Sequence, residues 1–122
     1  MRLFAIAALC ASALFGQGKE FILENYTKYE YRVPMRDGKR LFTSIYVPKD
    51  SSVKWPILLN RTPYSVAPYG PDQYKSDLGP STVLGKSKYI FVYQDVRGRN
   101  MSEGEFINMT PHKAVKGPKD VD

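Results

Sequence analysis

Cysteine and histidine are almost absent from this 122-residue chain, which contains one of each, Cys10 and His112. A single cysteine cannot close a disulfide within the chain, so we expect the fold to be held together by burial of side chains. One cysteine and one histidine also lack the repeated Cys/His spacing that zinc sites require. The sequence therefore predicts no metal site.

Clusters of positive charge are missing as well, although the formal net charge is +6 and the isoelectric point is near 9.4. Lysine and arginine are scattered among aspartate and glutamate, without a run of five cations or a basic helical face. A protein that follows a phosphate backbone needs clustered cations. The sequence therefore argues against nucleic acid as a partner.

The longest apolar run, residues 3–15, is too short for an ordinary transmembrane helix. It follows Arg2 and ends in small residues, which is the layout of a secretory signal peptide. We predict a signal peptide over residues 1–16, with cleavage near Ala13 to Gly16, and a secreted or periplasmic protein without a stable membrane anchor. Cleavage would remove Cys10, and the bulky Leu9 before it argues against a lipoprotein. A buried N-terminal helix is the alternative interpretation of this run.

Period-two patterns dominate the next part of the chain, after an N-terminal arm at residues 17–25. Residues 26–33 alternate aromatic and polar side chains, which is typical of a half-exposed strand. Asp37 and Gly38 form a strong hairpin-turn signal, and residues 40–47 are predicted to be the returning strand. The sequence therefore predicts an antiparallel hairpin.

Two short apolar runs, residues 55–60 and 88–94, are predicted to be strands buried on both faces of a sheet. The segment between them is rich in proline, glycine and tyrosine, with a short helix predicted around residues 81–86. Such a long connection suits a crossover to a parallel strand that also shapes a site, whereas irregular surface packing is the alternative.

Both runs stop abruptly in polar residues with proline or glycine, as expected at the carboxyl end of a strand. Ligands bind at this edge of open α/β sheets. We therefore predict that Tyr64 and the turn at residues 95–99 flank one crevice. The fold class is α/β, but the chain offers almost no long amphipathic helix to cover a parallel sheet, so we expect the front part of a larger fold.

Three segments carry a resemblance to a known family: PMRDGKRL at residues 34–41, LLNRTPY at 58–64, and YQDVRGR at 93–99, which runs into SEGEF at 102–106. In order and spacing, residues 26–112 resemble the N-terminal part of the Xaa-Pro dipeptidyl-peptidase-like, or cocaine esterase-like (CocE/NonD), serine hydrolases. The branch of α-amino acid ester hydrolases and glutaryl-type cephalosporin acylases is the most similar. The resemblance implies an incomplete α/β-hydrolase fold over residues 26–122, made of the initial hairpin and the first core strands.

The resemblance also implies roles for particular residues. The tyrosine that matches Tyr64 points its hydroxyl into the oxyanion hole in this family, although by itself one tyrosine of nine would be a packing residue. Asp95, Arg97 and Gly98 match the segment that shapes the wall beside the active site. An Asp–Arg pair at a strand end is more often a structural clamp than a catalytic pair, and Gly98 is expected to supply an unusual backbone angle. Arg61 is either a substrate-facing cation or a buried partner of a carboxylate.

The catalytic triad of such enzymes has no match in this chain. The nucleophile of the fold lies in a Gly-x-Ser-x-Gly elbow, followed by an acid and a histidine. No such pentapeptide occurs here, and His112 precedes the place where the elbow would fall. We therefore expect nucleophile, acid and base beyond Asp122, and an inactive fragment.

Serine hydrolysis needs neither metal nor organic cofactor. The resemblance implies a small-molecule or peptide substrate with an amide or ester bond, and it is compatible with a homo-oligomer of the full-length enzyme. The residues that bind the substrate are not identified by the sequence. Two alternatives remain: a small secreted binding module that uses the tyrosine-rich strand and loop, and a degenerate relative without catalysis.

Overall fold

The computed structural model describes residues 18–109 together with residues 115 and 117. The predicted signal peptide, Cys10 and His112 lie outside the described residues. The described elements follow one another along the chain in this order: helix α1 (Gly18–Asn25), strand β1 (Tyr26–Pro34), strand β2 (Arg40–Pro48), strand β3 (Ile57–Thr62), helix α2 (Thr82–Lys86) and strand β4 (Ile90–Asp95).

The four strands form one mixed sheet in the order β1-β2-β4-β3. Strand β2 lies antiparallel to β1 and to β4, whereas β3 and β4 are parallel. The predicted hairpin and the predicted parallel crossover are therefore both confirmed. Gly38 adopts a φ of 82° in the hairpin turn, and its N–H donates to the carbonyl of Met35 at 2.9 Å.

Helix α1 is a feature that the sequence did not predict, because residues 17–25 were described only as an N-terminal arm. Glu20 lies in the first turn, where a carboxylate interacts favourably with the helix dipole, and Ile22 is buried in the core. Within the described part of the chain, no helix has both the length and the apolar character needed to cross a membrane.

The core lies on one face of the sheet, beneath the long connection from β3 to β4. This connection contributes Val66 and Leu78 to the core, and α2 begins after Ser81, whose hydroxyl accepts a hydrogen bond from the N–H of Leu84 at 3.3 Å. The other buried members are mostly aromatic: Ile22, Tyr26, Phe42, Tyr46, Phe91 and Tyr93. The connection is therefore a packed layer of the fold and not irregular surface.

The opposite face of the sheet is open at its edges. Ile57 and Leu59 of β3 are 66% and 55% exposed, and Tyr29 stacks on Tyr31 on the exposed side of β1. The prediction that β3 is buried on both faces is thus wrong for this chain, because β3 is an edge strand of the described sheet. On this opposite face Leu41, Thr43 and Gln94 of the central strands are buried, so the exposure is greatest on the edge strands β1 and β3.

Candidate functional site

The carboxyl ends of β3 and β4 lie side by side, because the two strands are parallel and Thr62 is in register with Asp95. One further hydrogen bond extends the pairing, from the N–H of Val96 to the carbonyl of Thr62 at 3.2 Å. The sheet therefore brings the turn that carries Tyr64 and the turn at residues 95–99 to one edge, as the sequence predicted.

Tyr64 lies on the turn that follows β3. Its N–H donates to the side-chain oxygen of Thr62 at 3.1 Å, and the next residue, Ser65, has a left-handed backbone with a φ of 63°. Tyr64 is 87% exposed. Its phenol is accordingly available to a molecule that approaches the carboxyl edge of the sheet.

Asp95 is fully buried at the end of β4, directly beneath this turn. Its Oδ1 accepts hydrogen bonds from the N–H of Val66 at 3.1 Å and from the side-chain amide of Asn100 at 3.3 Å. Its Oδ2 accepts from the Tyr69 hydroxyl at 2.9 Å and from the N–H of Met101 at 3.3 Å. These four neutral donors offset the cost of removing a carboxyl group from water.

Tyr69 connects Asp95 to the turn through its hydroxyl, which also lies 2.9 Å from the hydroxyl of Ser65. Burial is the main cause that raises the pKa of Tyr69; the neighbouring Asp95 also raises this pKa, and the hydrogen bond with Ser65 lowers it. The direction of this shift favours the protonated phenol, which donates its hydrogen bond to Asp95.

Arg97 pairs with Asp37 and not with Asp95. Two parallel hydrogen bonds join its guanidinium to the Asp37 carboxylate, at 2.8 and 3.1 Å. These bonds hold the pKa of Asp37 below its usual range. Arg97 does not form the expected pair with Asp95, and it instead fastens the turn after β4 to the β1–β2 hairpin turn.

Gly98 occupies a position that only glycine fits. Its φ is 69°, and a Cβ placed there would overlap the backbone of Glu105 and Phe106. The N–H of Gly98 donates to the carbonyl of Glu103, whose carboxylate in turn binds the Arg40 guanidinium at 3.0 and 3.2 Å. The expectation of an unusual backbone angle at Gly98 is confirmed.

Arg61 is the one predicted site residue that the structure does not bring into this network. It lies in β3, exposed, and by strand alternation it belongs to the face that carries Leu59. In the described chain Arg61 is thus not the buried partner of a carboxylate. Its role toward a substrate stays a prediction.

Lys28 is a residue that the sequence analysis missed. Its side chain is buried, and its ammonium donates to three carbonyls of the connection, those of Pro68, Gly70 and Gln73, at 2.7 to 2.9 Å. It also pairs with Glu30 at 2.7 Å. The period-two pattern of β1 could have indicated that Lys28 is buried, because position 28 lies on the same core-facing side of the strand as Tyr26.

Metal ligands are not assembled at this edge of the sheet. Among the described residues, no group of three or more His, Cys, Asp and Glu side chains is arranged to hold a metal ion. The chemistry that the site offers is therefore hydrogen-bond donation from an exposed phenol on a turn anchored to a buried carboxylate.

A family profile described as X-Pro dipeptidyl-peptidase (S15 family) matches residues 37–121, which include the Tyr64 turn and the segment from Asp95 to Gly98. The chain belongs to this family. Membership agrees with the resemblance carried by the three sequence segments.

One relative of this chain is the cocaine esterase of Rhodococcus sp. (strain MB1 Bresler), which is 38% identical over 80 residues. These residues are 66% of this chain and 13% of the esterase. A solved structure of an α-amino acid ester hydrolase labelled with selenomethionine is 38% identical, with a TM-score of 0.55 over 68% of this chain and 14% of the hydrolase.

An aminopeptidase from the marine sediment archaeon Thaumarchaeota archaeon is 35% identical, with a TM-score of 0.54 over 69% of this chain and 14% of the peptidase. This chain thus spans about one seventh of the length of the relatives that it matches. The α/β class and the hydrolase-like arrangement of the sheet are confirmed by these likenesses.

Proposed function

We propose that this chain is the N-terminal portion of an exported serine hydrolase that cleaves amide or ester bonds through an acyl-enzyme, with the Tyr64 hydroxyl as one donor of the oxyanion hole. The observation that carries the proposal is the exposed phenol of Tyr64 at the carboxyl edge of a sheet that belongs to the S15 family. Nucleophile, acid and base are proposed to follow Asp122.

The chemistry assigned to Tyr64 is electrostatic. When a serine oxygen attacks a carbonyl carbon, the carbonyl π electrons move to oxygen and negative charge develops there. A neutral O–H donor held in place stabilises this charge more in the transition state than in the bound substrate. The leaving group then departs with a proton, and water hydrolyses the acyl-enzyme to release the acid.

The first test is to read the gene beyond the codon for Asp122 and to purify the product of the whole reading frame. We expect a Gly-x-Ser-x-Gly elbow followed by an acid and a histidine, and covalent labelling of that serine by a fluorophosphonate. A frame that continues without these residues would contradict the proposal and would favour a degenerate relative.

The second test is Tyr64→Phe in the complete protein, assayed with p-nitrophenyl acetate. We expect kcat to fall about 100- to 1,000-fold with little change in KM, as when one oxyanion donor is removed. Tyr31→Phe is the matched control, since it deletes an exposed phenol from β1. Equal activity of the two variants would remove Tyr64 from the mechanism.

Export is tested separately, by N-terminal sequencing of the protein recovered from the periplasm or the medium. We expect the mature protein to begin between residues 14 and 17. Recovery of a chain that still carries Met1 or Arg2 would contradict the signal peptide.

One observation favours a second candidate function, a secreted binding module. The rings of Tyr29 and Tyr31 stack at a centroid distance of 6.3 Å and are exposed, an arrangement that suits an aromatic or sugar ligand. In that case a stop codon after Asp122 and cooperative unfolding of the 122-residue chain are expected.

A further inference from the structure

We propose that Asp95 is a positioning residue for Tyr64: its buried carboxylate holds the backbone on both sides of Tyr64 and so sets the place of the phenol. The inference rests on the proposed function, since it concerns the same oxyanion donor. It differs from the wall-shaping role expected for this segment, because it makes Asp95 act through one particular side chain.

The chain before Tyr64 is tied to Asp95 through Asn100. The side-chain amide of Asn100 donates to the carbonyl of Pro63 at 3.4 Å and to Oδ1 of Asp95 at 3.3 Å. The same Oδ1 accepts the N–H of Val66 at 3.1 Å, two residues after Tyr64. One buried oxygen is thus linked to the backbone on either side of the tyrosine.

The second oxygen of Asp95 supports the residue that follows Tyr64. Oδ2 accepts the Tyr69 hydroxyl at 2.9 Å, and this hydroxyl lies 2.9 Å from that of Ser65. The contact is needed because Ser65 has a φ of 63°, a left-handed conformation that non-glycine residues rarely adopt without help from their surroundings. Asp95 therefore stabilises a turn whose left-handed backbone at Ser65 is intrinsically unfavourable.

Both oxygens of Asp95 must be acceptors. Oδ1 receives the N–H of Val66, and Oδ2 receives the N–H of Met101. In Asp95→Asn the amide NH2 would face one of these N–H groups whichever way the side chain is flipped. The substitution keeps the shape and loses the function of the carboxylate, so it is a specific test.

The experiment is a double-mutant cycle between Asp95→Asn and Tyr64→Phe in the product of the whole reading frame, assayed with p-nitrophenyl acetate. We expect Asp95→Asn alone to lower kcat about tenfold with KM within about twofold. In the Tyr64→Phe background we expect Asp95→Asn to lower kcat by no more than about twofold, because the phenol that it positions is already gone.

A milder variant keeps the test decisive if Asp95→Asn does not fold. Tyr69→Phe deletes one donor to Asp95, whereas Tyr74→Phe deletes a hydroxyl of the same connection that instead accepts the N–H of Lys28 at 3.1 Å. We expect Tyr69→Phe to lower kcat about fivefold in the wild-type background and not in Tyr64→Phe, and Tyr74→Phe to leave kcat within about twofold.

The outcomes separate the two proposals. If Asp95→Asn or Tyr69→Phe lowers kcat by the same factor in the Tyr64→Phe background as in the wild type, the two effects are independent. That result overturns the positioning role and leaves the proposed function intact. Equal kcat values for Tyr69→Phe and Tyr74→Phe overturn it as well. A Tyr64→Phe variant with full activity, or a frame without a nucleophile, overturns the proposed function and this inference together.

Discussion

Two glycines with left-handed backbones, Gly98 and Gly38, show how the surroundings of one residue decide what a substitution costs. A Cβ at Gly98 would overlap the backbone of residues 105 and 106, whereas a Cβ at Gly38 would meet nothing within 4 Å. The backbone preference is similar at both positions, with φ values of 69° and 82°. The difference between the two positions is therefore steric.

We expect Gly98→Ala to lower the free energy of unfolding by about 3 kcal/mol, since it combines a disfavoured φ with overpacking. Gly38→Ala is the matched control and should cost about 1 kcal/mol, from the disfavoured φ alone. Urea titration of the complete protein measures both values. Equal losses would mean that the turn at residues 98–106 relaxes around the added methyl group.

The acid dependence of stability is also decided by single residues. Hydrogen bonds from Arg97 lower the pKa of Asp37 from its ordinary value of 3.8. Because the folded-state pKa is the lower one, the stabilisation is complete above the unfolded pKa and is lost as the pH falls through the folded pKa. Glu103, bound to Arg40, has a lowered pKa for the same reason.

We therefore expect the free energy of unfolding to fall less steeply below about pH 4 in Asp37→Asn than in the wild type. Arg97→Met should flatten the same part of the curve, because it removes the other member of the pair. The measurement is urea unfolding at a series of pH values between about 5 and 2. If either variant shows the wild-type dependence of unfolding free energy on pH, the Asp37–Arg97 pair does not stabilise the fold.

At the scale of elements, the connection between β3 and β4 is organised around a buried cation. The ammonium of Lys28 meets three carbonyls of this connection, and the Glu30 carboxylate beside it also accepts the N–H of Gly70 at 2.8 Å. Strand β1 thereby supports the loop that leads away from Tyr64.

Lys28→Met should lower the free energy of unfolding by about 3 to 5 kcal/mol, because it removes the counter-ion of Glu30 and the ammonium donor to the carbonyls of Pro68 and Gln73. Lys75→Met is the control on the same connection, since the half-buried Lys75 donates to one carbonyl, that of Ala67, at 2.7 Å. Its loss should be about 1 kcal/mol. In Lys28→Met, the rate of amide hydrogen exchange should rise at residues 66–75 before it rises in the rest of the chain.

At the scale of the whole molecule, one face of the described sheet is covered, and the other face is exposed at its edge strands although Thr43 and Gln94 at its centre are buried. Ile57 and Leu59 lie exposed on an edge strand, whereas Leu58 between them packs against the core. Exposed apolar edge strands pair with other chains. The 122-residue chain produced by itself is therefore expected to self-associate.

The double substitution Ile57→Lys/Leu59→Lys should reduce this association, as measured by light scattering of the 122-residue chain, and should leave its circular dichroism unchanged. Leu58→Lys, on the opposite face of the same strand, should instead unfold the chain, since it places a charge against the core. A wild-type chain that stays monomeric at high concentration would contradict the prediction that the exposed edge strand β3 causes self-association.

The positions of the strands were predictable because period-two alternation, the Asp37–Gly38 turn signal and two short apolar runs are local signals. The nearness of Tyr64 to Asp95 was predictable too, since parallel strands end at the same edge. The partner of Arg97 was not, because Asp37 is distant in sequence and meets it through the hairpin. Lys28 was missed because a lysine in a strand is ordinarily solvated, and three carbonyls from a later segment reverse that preference.

The sequence by itself determined the α/β class, the hairpin, the crossover and the family, because each depends on residue order and local pattern. The tertiary structure alone decided which groups bond to one another: Asp95 with Tyr69 and the N–H of Val66, Arg97 with Asp37, and Lys28 with the connection. The physical reason is that buried polar groups need partners, and which partner is in reach depends on how distant segments pack.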